Sequence, residues 1–162
     1  MLHETTMKSP VGTLRLIASD EGLRAVLWPG DDADRVRLDG PIDTDPDHPI
    51  LRAAVDQLTE YFDGDRTEFD LPLDSSGTEF QSACWGALLE IPYGSTVSYG
   101  EQAGMIGRPT AVRAVGSANG RNPLSIVVPC HRVVAADGSL TGFAGGIDTK
   151  SWLLKHEARH VS

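Results

Sequence analysis

Apolar and polar positions along "TLRLIASDEGLRAVLW" (13–28) read as two strands joined by a turn at Asp20-Glu21-Gly22. The next stretch, "DDADRVRLDGPIDTDPDHP" (31–49), has no apolar period and reads as an acidic, proline-containing loop. Ile50, Leu51, Ala54, Val55, Leu58, Tyr61 and Phe62 then recur with the spacing of one helical face. "TEFDLPLD" (67–74) is a short strand or an edge, and "SSG" (75–77) is the expected boundary between two units, 1–76 and 77–162. The first unit presents no chemical constellation and reads as scaffold.

The second unit opens on a helix. Thr78 and Gln81 have capping-box spacing, and Phe80, Ala83, Cys84, Ala87, Leu88 and Ile91 form one apolar stripe. Cys84 lies on that stripe and is expected to be a buried, inert thiol. Pro92-Tyr93-Gly94 stops the helix. Ser98 and Glu101 start a second, short helix ending near Gly107, and Pro109 suits the first turn of a third, over about 110–119. Two short helices around a glycine-containing turn suit either a DNA-binding helix-turn-helix or a plain packing unit. The second of them, "TAVRAVGSANG", is built of small residues with Arg113 as its only charge. If it meets DNA it has little with which to read bases.

"IVVPCHRVV" (126–134) has the β-branched residues of a buried strand, yet Pro129 must end or bend that strand. At the bend a thiol and an imidazole are neighbours, Cys130 and His131. On a regular strand they would face opposite ways, so catalysis by this pair needs a turn there. Cysteine attacks as thiolate, which requires a base and a carboxylate to orient it. Glu157, near the end of the helical segment "IDTKSWLLKHEARH", is one candidate; a solvated surface glutamate is the alternative. On that helix Ile147, Trp152, Leu153 and His156 have core-compatible spacing.

Composition changes this picture in two ways. Apolar content of 40% and charged content of 23% are those of a globular protein, and no apolar run reaches a membrane span. With no secretion-signal pattern in "MLHETTMKSP", the expectation is a cytoplasmic protein with reduced thiols. The net charge of −9 argues against a nucleic-acid partner until its distribution is read. Residues 1–76 carry 17 acidic and 7 basic side chains, residues 77–162 carry 6 and 7. The back half is therefore locally basic, with Arg108, Arg113, Arg121 and Arg132 facing only Glu101 and Asp137 within 94–137.

"SYGE", "RAVGSANGRNP" (113–123), "PCHRVV" (129–134), "GFAGG" (142–146) and "KSWLLKHE" (150–157) together resemble the O6-alkylguanine–DNA alkyltransferases, the methylated-DNA–protein-cysteine methyltransferases. The likeness runs in order through residues 78–157. It implies an α/β (α+β) fold, with a small ribonuclease-H-like sheet-plus-helix domain before a mainly helical domain holding the helix-turn-helix. It also implies direct-reversal repair: single-turnover transfer of an alkyl group from O6 of guanine, less efficiently O4 of thymine, in duplex DNA to the protein's own cysteine. By the resemblance, Cys130 is the acceptor, His131 the base acting through water, and Glu157 its orienting carboxylate. Asn122 braces the turn, and Tyr99 donates to the guanine ring. Arg113 fills the stack vacated by the flipped base, with Tyr99, Ala114, Gly116, Ser117 and Asn119 also against DNA. Val133, Phe143, Ala144 and Ser125 line the base pocket, where Phe143 replaces the tyrosine of many relatives. The expected partner is duplex DNA carrying alkylated guanine, met by a monomer without a cofactor. Some relatives carry zinc in the N-terminal domain; with His3 and His48 but no cysteine there, no metal is expected. A lesion-binding relative without activity lacks the cysteine, and a helix-turn-helix regulator needs base-reading side chains that this chain does not show.

Overall fold

The computed structural model describes residues 1–161. Two of its strands follow the alternation directly: β2 (Gly12–Ala18) and β3 (Leu23–Leu27), antiparallel about the expected turn. Leu14 and Leu16 of β2 are fully buried toward the main core, while Ile17 and Ala25 are buried on the opposite face with Leu2 and Val36. Two further strands were not legible. β1 (Leu2–Ser9) pairs antiparallel with β2, and β4 (Ile42–Thr44), inside the acidic segment, pairs parallel with β1, giving the order β3-β2-β1-β4. β1 buries only Leu2 and Met7, so neighbouring strands rather than its own pattern hold it extended. The expected short strand or edge over 67–74 reduces to one bridge, Leu23 to Leu73, and Pro72 has no N–H to extend a ladder.

Helix α1 (Pro49–Phe62) begins at His48, whose ring accepts from the Ile50 N–H, and lays Leu51, Ala54, Leu58 and Tyr61 on the sheet. The free edge of β3 is closed by the rest of the chain: Leu23 N–H donates to Pro72 and Val26 N–H to Pro123. Thus the sheet and the later helices share one continuous core.

Both expected capping boxes form, Thr78/Gln81 at α2 (Glu79–Leu88) and Ser98/Glu101 at α3 (Tyr99–Met105). The apolar stripe of α2 is rotated from the expected one. Ala83 is exposed, while Trp85 is buried and donates its indole N–H to the Ala118 carbonyl at 2.9 Å. Helix α4 starts later than expected, at Val112, and runs to Gly120. Pro109 is the second residue of a turn closed by Ala111 N–H to Arg108 O, the position its fixed φ suits, and lies outside the helix.

The largest correction concerns residues 126–134. Only Val133–Val134 is strand (β6), paired with β5 (Val97–Ser98). Residues 124–128 form a tight turn, with Val127 N–H on Ser125 O and Val128 N–H on Leu124 O, and Ile126 takes φ 73°. That conformation is strained for a β-branched residue, and such strain persists only where the surroundings impose it. Cys130–Arg132 is one turn of 3-10 helix. The last helix, α5 (Ile147–His160), buries Leu153, His156 and Glu157 but leaves Ile147 exposed.

Candidate active site

The 3-10 turn resolves the geometric problem of adjacent functional residues: both Cys130 and His131 point inward and are buried. Asn122 holds the turn from beneath, donating to the Val128 carbonyl at 2.8 Å and accepting the Leu124 N–H at 3.0 Å. Cys130 lines a small cavity with Tyr99, Gly116, Ser125, Phe143, Ala144 and Lys150. Burial pushes its thiol up, opposed by Asn122 and by the charges of Arg35 and Lys150, so the group rests as a thiol and needs a base to react.

His131 Nε2 donates to Glu157 Oε2 at 2.6 Å, while its Nδ1 has no hydrogen-bond partner. Glu157 is fully buried, which removes the surface alternative. Its carboxylate gathers further donors: Arg132 Nε at 2.8 Å and Nη2 at 3.2 Å, the Tyr61 hydroxyl at 2.7 Å and Gly94 N–H at 3.3 Å. Burial alone would raise the Glu157 pKa; the bonds from His131 and Arg132 outweigh it and hold the carboxyl well below its ordinary range. For His131 burial dominates over the attraction of Glu157 and keeps the ring neutral. Arg132, permanently charged, is therefore the counterion, and His131 remains free to accept a proton.

Three members of this environment escaped the sequence reading. Arg132, counted above among the basic residues of the back half, is buried; a guanidinium inside an apolar run was the available signal. Tyr61 was read as core, with no sign that its hydroxyl reaches α5. Lys150 is buried with its ammonium 5.8 Å from the Tyr99 ring and 6.0 Å from that of Phe143. The front half is also more than scaffold. Trp28 donates to Ser125 Oγ at 3.1 Å and packs edge-on to Phe143, and Arg35, paired with Asp31, donates to the Asn122 carbonyl at 2.7 Å.

On the outer side, Arg113, Ala114 and Ser117 of α4 are exposed, and Gly116 lies close under the Tyr99 ring. Tyr99 shares a 2.8 Å hydrogen bond with Thr141, and Val133 is buried in β6. Asn119 is buried, and its amide donates to and accepts from Gln102 of α3, at 2.7 and 2.9 Å.

A buried cysteine on a braced bend, next to a neutral histidine that a carboxylate holds, has the composition of a cysteine-nucleophile group-transfer site. The comparisons give the particular kind. Residues 2–75 match the "6-O-methylguanine DNA methyltransferase, ribonuclease-like domain" and residues 79–159 the "6-O-methylguanine DNA methyltransferase, DNA binding domain". The methylated-DNA–protein-cysteine methyltransferase of Mycobacterium tuberculosis is 49% identical over 157 residues, covering 97% of this chain and 93% of that protein. That of Methanosarcina acetivorans is 45% identical over 156 residues, covering 96% and 98%. The crystal structure of Mycobacterium tuberculosis OGT in complex with DNA superposes with a TM-score of 0.88 at 48% identity, over 98% of this chain and 94% of that one. The chain belongs to the 6-O-methylguanine DNA methyltransferase family.

Proposed function

We propose that the protein, a methylated-DNA–protein-cysteine methyltransferase, repairs O6-alkylguanine in duplex DNA by moving the alkyl group onto Cys130 in a single turnover. The observation that carries this reading is the arrangement at the bend, where His131, next to Cys130, has Nδ1 buried without a hydrogen-bond partner and Nε2 held by Glu157 at 2.6 Å. The thiol proton passes through one water to Nδ1, and the imidazolium that forms is stabilised by Glu157. Sulfur then bonds the alkyl carbon as the C–O6 bond breaks, its electron pair returning to the purine. Tyr99 donates to the ring that receives this charge. Lys150, buried without a carboxylate partner among the described residues, favours the thiolate.

A base inside a duplex hides its O6 from a buried thiol, so the nucleotide is flipped outward and Arg113 fills the gap. The cavity beside Cys130 measures about 20 Å³, room for one water. Entry of a purine therefore requires this cavity to widen. The functional division follows residues 1–76, which brace the active-site turn, and 77–162, which carry DNA contact and transfer. The protein works in the cytoplasm as a monomer.

Incubation with O6-methylguanine duplex should add one methyl mass per chain, on the peptide containing Cys130, and Cys130→Ser should bind without accepting. A methyl group on Cys84, whose thiol burial also pushes up, or multiple turnover would overturn the assignment. Alkylation should also destabilise the protein. The transferred group overfills packed space, which costs ~1–3 kcal/mol, and lowers Tm by roughly 2–12 °C. Melting curves before and after reaction decide this; an unchanged Tm would mean that the pocket has spare room.

A further inference from the structure

Trp28, the first residue after β3, takes no part in the chemistry at Cys130 yet touches two segments that enclose it. Its side chain is buried and its polar atoms are all used. The indole N–H donates to Ser125 Oγ at 3.1 Å, the backbone N–H to Asp31 Oδ2 at 3.2 Å, and the carbonyl accepts the Asp31 N–H at 3.1 Å. The front domain thus holds the indole in one place, as a fixed wall.

Against this wall rests the loop 142–146, which has neither helix nor strand and contains Gly142, Gly145 and Gly146. Phe143 packs edge-on to the indole, with ring centroids 5.4 Å apart. At Gly145 the approach is closer still. A Cβ there would lie 2.7 Å from Trp28 Cδ2 and 2.8 Å from Cε2, so only glycine lets the backbone lie on the ring. Ser125 and Phe143 both line the cavity of about 20 Å³ beside Cys130. One front-domain side chain therefore steadies two walls of that cavity, on the turn before the nucleophile and on the loop after it. The space beside the sulfur is about that of one water molecule, which a methyl group roughly matches and an aromatic ring far exceeds.

We infer that Trp28 is a specificity-determining positioning residue for alkyl transfer, an assignment that rests on the O6-alkylguanine reading above. Acting through Ser125 and Phe143, it keeps the pocket sized for small alkyl groups and disfavours bulky aromatic ones. Shortening the indole leaves space behind Phe143 into which the ring and its loop retreat, and it frees Ser125. The penalty for overfilling the pocket then falls most for the largest substituent.

The test uses the full chain and two duplexes of one sequence, carrying either O6-methylguanine or O6-benzylguanine. Flipping and DNA contacts then cancel in the ratio of single-turnover rate constants. Trp28→Leu should raise the benzyl-to-methyl ratio about 10-fold over wild type, as relief of overpacking at one wall requires. Trp28→Phe keeps a ring against Phe143 but lacks the N–H for Ser125, and should raise the ratio about threefold. It carries the test if Trp28→Leu does not fold. A merely structural role would slow both duplexes by the same factor, so a ratio unchanged from wild type, or one that falls, would overturn the inference. A wild-type chain that accepts an alkyl group from neither duplex would instead overturn the transfer reading itself, and the inference with it.

Discussion

Exchange of Glu157 for alanine is expected to lower stability by about 3–5 kcal/mol and to slow alkyl transfer at least ~100-fold. Removing the carboxylate leaves the Arg132 guanidinium buried with only its bond to the Ile91 carbonyl, and strands the Tyr61 hydroxyl and His131 Nε2–H. An unpaired buried charge is the expensive consequence; the corresponding fall in Tm is roughly 6–20 °C. Transfer suffers separately, because His131 loses the group that fixes its tautomer and stabilises its protonated form. Glu157→Gln separates the two effects. Its amide oxygen still accepts from Arg132, so stability falls less, while its NH2 opposes the His131 donor and transfer remains slow. Urea denaturation and single-turnover kinetics at neutral pH measure both quantities. A Glu157→Ala chain with wild-type stability would show that the network is not what holds this region.

The same network sets the response to acid. His131 is held neutral by burial, so the unfolded chain takes up its proton near pH 6.5 while the folded one does not. Stability is therefore lost as pH falls below about 6.5. Glu157, held low by His131 and Arg132 against the effect of burial, adds a second loss. The unfolded state binds that proton near 4.5 and the folded state only at lower pH. The second loss should be absent from Glu157→Gln.

Arg113→Ala should slow repair of O6-methylguanine in duplex DNA about 10–100-fold while changing the reaction with free O6-methylguanine less than about twofold. Flipping costs a few kcal/mol of unstacking, and a side chain that fills the gap recovers part of it; each ~1.4 kcal/mol recovered is tenfold in rate. The free base has no stack to leave. Arg113 is exposed and makes no hydrogen bond or ion pair among the described residues, so its loss should change stability by no more than ~0.5 kcal/mol. Equal losses on both substrates would assign Arg113 a structural role instead. Overall DNA affinity should be modest and salt-sensitive, because the positive surface is smaller than the sequence suggests. Arg132 is buried on Glu157, leaving Arg108, Arg113 and Arg121 of the four as exposed charges.

What could be read along the chain was local. Both capping boxes close over three residues, the amphipathic face of α1 repeats every turn, and β2 and β3 alternate about a short turn; each is decided by neighbours in sequence. The bend at Pro129 was legible for the same reason, since a missing N–H acts wherever the residue stands. Its form was not: "IVV" has strand composition, and only the Asn122 brace and the packed core keep Ile126 at positive φ. The carboxylate of Glu157 could be named, but not why it is buried and ionised. Its partners Arg132 and Tyr61 stand 25 and 96 positions away, and Trp28 reaches Ser125 across 97. Periodicity records whether a side chain faces inward; it carries no information about which distant polar group it meets there. That pairing exists only once the sheet closes against the helices, and so the tertiary structure alone decided which charges the core would hold.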